Sequence, residues 1–288
     1  MKGKILKTLI FSVITLVTVN SCVAQKGNKK SVKKDGETKV LIKTTKGNIL
    51  VKLYDETPLT RDNFIKLVKQ KYYDSTLFHR VIQGFMIQGG DPQSKKAKPG
   101  VMLGNGDIGY TVPAEFRPDL FHKKGALACA RNGDEVNPTK ASSGCQFYIA
   151  QGKVYKDSEL TMMEERINMG LKQQIFSKLI EKPENHDLKM KFVKFQNESN
   201  IDSLRALAAK IEPEIDTIYS KTPKFKYSDE QRKAYTTIGG VPHLDGNYTV
   251  FGEVLEGLEV IDAIASVKTG PADRPVEDVR IISMEFVK

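Results

Sequence analysis

The chain has 288 residues, 40% of them hydrophobic, which suits one large domain or two small ones with a water-excluding core. Its formal charge is +10, yet no basic run is interleaved with aromatic side chains, which argues against a nucleic-acid groove. Of the three cysteines, Cys129 and Cys145 come with no third or fourth ligand, which argues against a zinc site.

Residues 1–24 read as an export signal rather than as part of the fold. Lys2, Lys4 and Lys7 give a positive start, and Leu9 to Val19 is an apolar run shorter than a membrane-spanning helix requires. The run ends in Val19-Asn20-Ser21-Cys22, which resembles a bacterial lipobox with Cys22 as the lipidated residue, although Asn20 is an unusual occupant. Ordinary signal cleavage after Ala24 is the alternative. Both readings take the protein out of the cytoplasm into the cell envelope, and lipidation of Cys22 would anchor it to a membrane. Residues 25–37, with Lys26, Lys29, Lys30, Lys33 and Lys34, read as a solvated, flexible tether. Of the cysteines, Cys129 and Cys145 remain. Export leaves open either a disulfide between them or two buried free thiols.

Thr38–Thr44 and Asn48–Tyr54 alternate as strands around Lys46-Gly47. Pro58 opens a helix to about Lys69, with Phe64, Ile65, Leu67 and Val68 on its apolar face. Two short strands follow at Thr76–Ile82 and Phe85–Gln88, joined at Gln83-Gly84 and closed by Gly89-Gly90. Alternation puts Met86 and Gln88 on one face. Arg80 precedes the break, so alternation does not say which face it takes. An apolar group beside an amide on a rigid strand makes a suitable floor for a small pocket.

The run Phe78-His79-Arg80-Val81-Ile82-Gln83-Gly84-Phe85-Met86-Ile87-Gln88-Gly89-Gly90-Asp91-Pro92 resembles the signature of the cyclophilins, a family of peptidyl-prolyl isomerases. Gln83 stands where the family often has proline. Gly104-Asn105-Gly106-Asp107-Ile108-Gly109 has the spacing of a dinucleotide loop, but Tyr110-Thr111-Val112-Pro113 follows it instead of a helix start, so it reads as a turn-rich loop. Strands at Leu127–Arg131 and Gln146–Ala150 bring Ala130-Arg131 and Gln146-Phe147-Tyr148, which resemble the next parts of the family's pocket. The pattern returns from His243 to Gly252. Tyr148 stands where many members have phenylalanine, Tyr248 where many have histidine, and His243 where members that hold cyclosporin have tryptophan. A short helix at Glu256–Ile264 and a strand at Val279–Val287 close the chain.

The resemblance covers about 38–152 and 241–288, and residues 153–240 interrupt it. There Leu160, Met163, Ile167, Leu171, Ile175 and Leu179 recur at helical spacing, with Asp157 or Ser158 as cap and Pro183 as stop. A second helix is expected through Leu188, Phe192 and Phe195, and a third from about Asn200 through Ile218 with a kink at Pro213. A short last helix starts at Ser228-Asp229-Glu230. Met162, Met163 and Met169 suggest either an adaptable peptide-binding face or the packing of a helical hairpin.

The resemblance implies a mainly β fold, a closed eight-stranded antiparallel barrel with two capping helices, to which the helical insert is added. It implies Arg80 and Gln88 as catalytic residues. Phe85, Met86, Ala130, Arg131, Gln146, Tyr148, His243, Leu244 and Tyr248 would be substrate-binding. The expected function is isomerisation of X–Pro bonds in unfolded or partly folded proteins by a monomer that needs no metal or cofactor. The competing reading is an exported holdase or scaffold with little turnover. A hydrolase is not supported, since Ser142 and Ser143 lack a nucleophile-elbow setting and no histidine–acid partner is apparent in the sequence.

Overall fold

Alternating burial builds the first two strands. Val40, Ile42 and Thr44 are buried along β1 (Lys39–Thr44), and Ile49, Val51 and Leu53 along β2 (Gly47–Leu53). The Thr44 hydroxyl donates to the Gly47 carbonyl (2.7 Å) and accepts the Lys46 N–H (3.0 Å), which closes the hairpin. The computed structural model describes residues 37–287; the expected export signal, Cys22 and the tether up to residue 36 lie outside the described residues. The helix α1 (Pro58–Lys69) begins at its proline as expected and buries Phe64, Leu67 and Val68. Then come β3 (Arg80–Ile82), β4 (Met86–Gly89), β5 (Thr111–Val112), β6 (Ala126–Cys129), β7 (Ser142–Ser143) and β8 (Phe147–Ala150). Four helices follow: α2 (Asp157–Ile180), α3 (His186–Asn197), α4 (Ile201–Lys221) and α5 (Asp229–Thr237). The chain ends with β9 (Val250–Glu256), α6 (Leu258–Ala265) and β10 (Ile281–Val287).

Eight strands form one antiparallel sheet in the order β10-β1-β2-β9-β6-β8-β4-β3, and β5 pairs with β7 apart from it. The sheet curls until its edges meet, but "closed" overstates the join. β3 is only three residues long, so no ladder joins it to β10. The preceding residues make the contact instead: Phe78 N–H donates to Val279 O (2.9 Å), Ile281 N–H to Thr76 O (2.8 Å), and Leu77 bridges Arg280. The expected strand from Thr76 is thus shortened to begin at Arg80.

Successive strand residues face opposite sides of a sheet, and here the two sides hold different clusters. Inside the curl, Val81, Ile87, Leu127, Phe147, Ile149 and Phe251 pack with Phe64 of α1 and Ile261 of α6. These are the two capping helices. Phe64 lies 5.7 Å from Phe147, edge to face, and 5.2 Å from Phe251. On the outer side, Met86, Ala126, Ala128, Tyr148, Ala150, Leu244 and Val250 form a second cluster. Cys129 and Cys145 are free, buried thiols, and burial pushes the Cys129 thiol up to about 12.

The chain divides into two compact units, one holding residues 37–157 and 228–287, the other 158–227. The expected insert ran over 153–240. The difference arises because both of its flanks are bound into the barrel unit. Tyr155 N–H donates to Tyr235 O (2.9 Å), the Tyr235 ring meets Phe121 (5.6 Å), and Gly240 bridges both Lys123 and Lys153. The helical unit has its own core of Ile175, Phe176, Leu179, Phe192, Leu204, Leu207, Ile211 and Ile215. Phe176 and Phe192 meet edge to face at 5.1 Å. Asn200 caps α4 by accepting Ser203 N–H (3.1 Å), and the helix runs through Pro213. Met162 and Met169 are exposed rather than packed.

Candidate active site

Strand register settles what alternation left open. Arg80 is paired directly opposite Gln88, Gln88 opposite Tyr148, Tyr148 opposite Ala128, and Ala128 opposite Val250. Directly opposed residues share a face, so these five make one row across five strands on the outer side of the sheet. Ile82 and Met86 form the neighbouring pair. Phe85 stands at the end of the tight turn, where its N–H donates to Ile82 O (3.1 Å). Gly84 has φ +73, a conformation that its lack of a side chain permits, and its N–H donates to Gln151 Oε1 (2.7 Å). Gln83 therefore occupies an ordinary turn, and the missing proline leaves the hairpin closed.

A directed chain of hydrogen bonds starts at the Arg80 end of the row and leaves it through Gln146. Arg80 Nη1 donates to Gln88 Oε1 (3.4 Å), Gln88 Nε2 to Gln146 Oε1 (2.9 Å), and Gln146 Nε2 to the carbonyls of Gly104 (2.8 Å) and Gly106 (2.7 Å). The Gly104 and Gly106 N–H groups in turn donate to Asp91 Oδ2. A Cβ on Gly106 would lie 2.0 Å from Asp91 Oδ1, so that position requires glycine. The glycine-rich loop thus fixes which way the Gln146 amide points, and it leads into β5, not a helix. Arg80 itself stays about half exposed, and its Nε donates to Asp273 Oδ2 (3.4 Å).

The apolar side of the site is built on Met86, Tyr148 and Leu244, all buried, with Phe85 partly so. Leu244 ends a single 3-10 turn from Pro242. His243, exposed on that turn, stacks on Phe85 at 5.6 Å, and partial burial lowers its pKa. The Tyr248 ring stands edge-on to Tyr148 at 6.0 Å and lies 4.5 Å from the Arg131 guanidinium carbon. Arg131 donates from Nε to Asn247 O (2.8 Å) and from Nη1 to Asp134 (2.6 Å), which holds the Asp134 carboxyl below its ordinary range. Its side chain anchors the Tyr248 loop. Both backbone polar groups of Ala130 are engaged, the N–H by Gln146 O and the carbonyl by Ser143 N–H. All eleven expected side chains of the site therefore lie on or beside one outer face.

Three participants escaped sequence reading. His122 is fully buried; its Nε2 accepts the Tyr148 hydroxyl (2.8 Å) because its Nδ1–H is directed at Asp245 Oδ1 (2.9 Å). Burial raises the Tyr148 phenol well above its ordinary range, so it stays a donor. Asp245 also accepts from Tyr235 OH (2.6 Å). Asp273 is the third. The aspartates directly follow Leu244 and precede Arg274, and nothing local signals either partner. A cavity of about 620 Å³ lined by Lys52, Tyr54, Leu120 and Glu253 lies along β2 and β9, away from Arg80 and Gln88.

The family model described as cyclophilin type peptidyl-prolyl cis-trans isomerase/CLD matches residues 39–188 and 230–286. A Staphylococcus haemolyticus protein named as an inferred peptidyl-prolyl cis-trans isomerase is 31% identical over 252 residues, covering 87% of this chain and 92% of that one. A Staphylococcus saprophyticus protein with the same name is 29% identical over 253 residues, covering 88% and 93%. Among solved structures, a Cryptosporidium parvum cyclophilin type peptidyl-prolyl cis-trans isomerase aligns over 88% of this chain and 99% of its own at 18% identity and a TM-score of 0.49.

Proposed function

The chain belongs to the cyclophilin-type peptidyl-prolyl cis-trans isomerases, and on that premise we propose that it turns X–Pro bonds in folding proteins of a bacterial cell envelope, by stabilising a twisted amide beside Arg80. Rotation about a peptide bond is opposed by about 18–20 kcal/mol because the nitrogen shares its lone pair with the carbonyl. No bond has to break. The site has only to bind the twisted amide better than either planar form. Twisting localises the nitrogen lone pair and makes it a hydrogen-bond acceptor. Arg80 is a donor that keeps its proton and presents a planar fork. Phe85, Met86, Tyr148 and Leu244 receive the pyrrolidine ring. Gln88 and Gln146, whose amides bond each other, orient Arg80 more than they grip the substrate.

The observation that carries this reading is the row itself, in which one half-exposed arginine, bonded to Gln88, stands two strands from a buried aromatic floor. The test is Arg80→Lys, which keeps the charge and loses the fork. Turnover of a proline tetrapeptide should fall on the order of a hundredfold, as for loss of a preorganised donor, with an unchanged unfolding midpoint. Wild-type turnover in that variant would end the proposal. Export and anchoring belong to the same reading and are supported by the charged start, the apolar run and Cys22. Cys22→Ala should shift the protein from the membrane to the soluble fraction.

A further inference from the structure

We infer that Asp273 is a positioning residue for the isomerisation: its carboxylate, carried on a strained turn, takes the Arg80 Nε–H and orients the guanidinium toward the substrate. The inference rests on the role proposed above for Arg80. Its geometry comes from two bonds to different nitrogens of one guanidinium. Asp273 Oδ2 lies 3.4 Å from Nε, and Gln88 Oε1 lies 3.4 Å from Nη1. A guanidinium is planar and its donors are fixed in that plane. Holding Nε and Nη1 therefore sets the plane's rotation and commits the Nη2 edge to one direction. With Asp273 removed, Gln88 alone would leave the fork free to swing about that single bond.

The turn that carries Asp273 is unusual. Ala272 and Asp273 have φ of +57 and +58, two successive non-glycine residues in the left-handed region. Alanine gains nothing there to offset the steric cost, and such strain persists only where the surroundings over-determine it. The surroundings do so through the next residue. Arg274 is 5% exposed, and its guanidinium donates to the carbonyls of Lys98 (3.0 Å) and Val101 (2.6 Å) and to Asp278 (2.8 Å). Gly270 N–H donates to Arg274 O (2.7 Å), and Val276 N–H to Lys268 O (2.9 Å), closing the turn at its base. The turn is locked so that its one free carboxylate meets Arg80. The pair is too exposed, 46% at Asp273 and 43% at Arg80, to add much stability. Its consequence is orientation.

Asp273→Gly is the informative variant, because it removes the carboxylate and gives the left-handed position to the residue that adopts it freely. Turnover of a proline tetrapeptide would be measured for wild type, Asp273→Gly, Arg80→Lys and the double variant, together with KM and thermal midpoints. The expected result is a fall of about tenfold in kcat for Asp273→Gly at unchanged KM, the cost of a misoriented catalytic group. The midpoint should not fall, and adding Asp273→Gly to Arg80→Lys should cost nothing more. Asp273→Asn, which keeps an acceptor and tolerates the left-handed backbone, should retain most of the wild-type rate. Unchanged or raised turnover in Asp273→Gly overturns the inference, as does an equal fold-loss in both backgrounds, which would mean that the turn and not Arg80 was disturbed. If Arg80→Lys keeps wild-type turnover, the reading of Arg80 fails and takes this inference with it. If Arg80→Lys falls and Asp273→Gly does not, only the positioning role fails.

Discussion

His79 and Arg80 are chain neighbours with opposite surroundings. Arg80 points to the half-exposed outer row, while His79 is 2% exposed and its ring nitrogens make no well-aligned hydrogen bond among the described residues, the Leu77 backbone giving at most a weak contact. Burial pushes the His79 imidazole down to about 4; the Asp91 charge opposes this, and Arg80 and Arg274 assist it. The sign for stability follows. Between about pH 6.5 and pH 4 the unfolded chain takes up a proton on His79 and the folded chain does not. Stability is therefore untouched by this group above pH 6.5 and declines as pH falls below it, by a total on the order of 3 kcal/mol. Urea midpoints of wild type and His79→Leu at pH 7 and pH 4.5 would test this, and the wild type should drop more. Equal drops would mean that His79 is protonated in the fold. Isomerase activity should stay flat across neutral pH, because the proposed rotation transfers no proton.

At the level of elements, the helices and the site differ in how far they can be read from sequence. Pro58, Asn200 and Ser228 mark helix starts through chemistry confined to a few neighbouring residues, and all three begin helices as expected. The site's strands were legible as strands, but their register was not. Alternation is interrupted at Gln83-Gly84, and only pairing with β4 puts Arg80 opposite Gln88. His122 and Asp245 are 123 positions apart and Arg80 and Asp273 are 193 apart, so no periodicity links them. The short helix α5 joins the two kinds of information. Ser228 Oγ accepts Gln231 N–H (3.1 Å) and Gln231 Oε1 accepts Ser228 N–H (2.9 Å), a reciprocal cap readable from sequence. The same helix sends Tyr235 to Asp245, behind the pocket leucine, which is not readable. Ser228→Ala should lower the barrel unit's stability by about 1 kcal/mol, seen as a lower denaturant midpoint, with tetrapeptide turnover unchanged. An unaltered midpoint would mean that Tyr235 and its partners hold α5 without the cap.

Across the whole molecule, the question is what the helical unit at 158–227 adds to an isomerase whose expected site residues all lie in the other unit. The barrel unit's two chain ends at this junction lie close together. Arg232 Nη1 is 2.5 Å from Asp157 Oδ1, and Tyr155 N–H bonds Tyr235 O. A short linker can span them, and closing so small a gap costs little entropy. The helical unit has an apolar core of its own. We therefore expect that replacing residues 158–227 with a short Gly/Ser linker leaves a folded enzyme with wild-type turnover of a tetrapeptide. Refolding of a proline-limited protein should slow, because a longer client chain loses the exposed apolar side chains at Met162, Ile167 and Met169. The wider excision of 154–240 should behave differently. It removes Tyr235 and Gln231 from Asp245, and the Gly240 bridges to Lys123 and Lys153 with them. It should therefore depress both substrates. Equal loss on both substrates after the narrow excision would show that the barrel requires the helical unit. Unchanged refolding of the protein substrate would show that the unit has no part in handling clients.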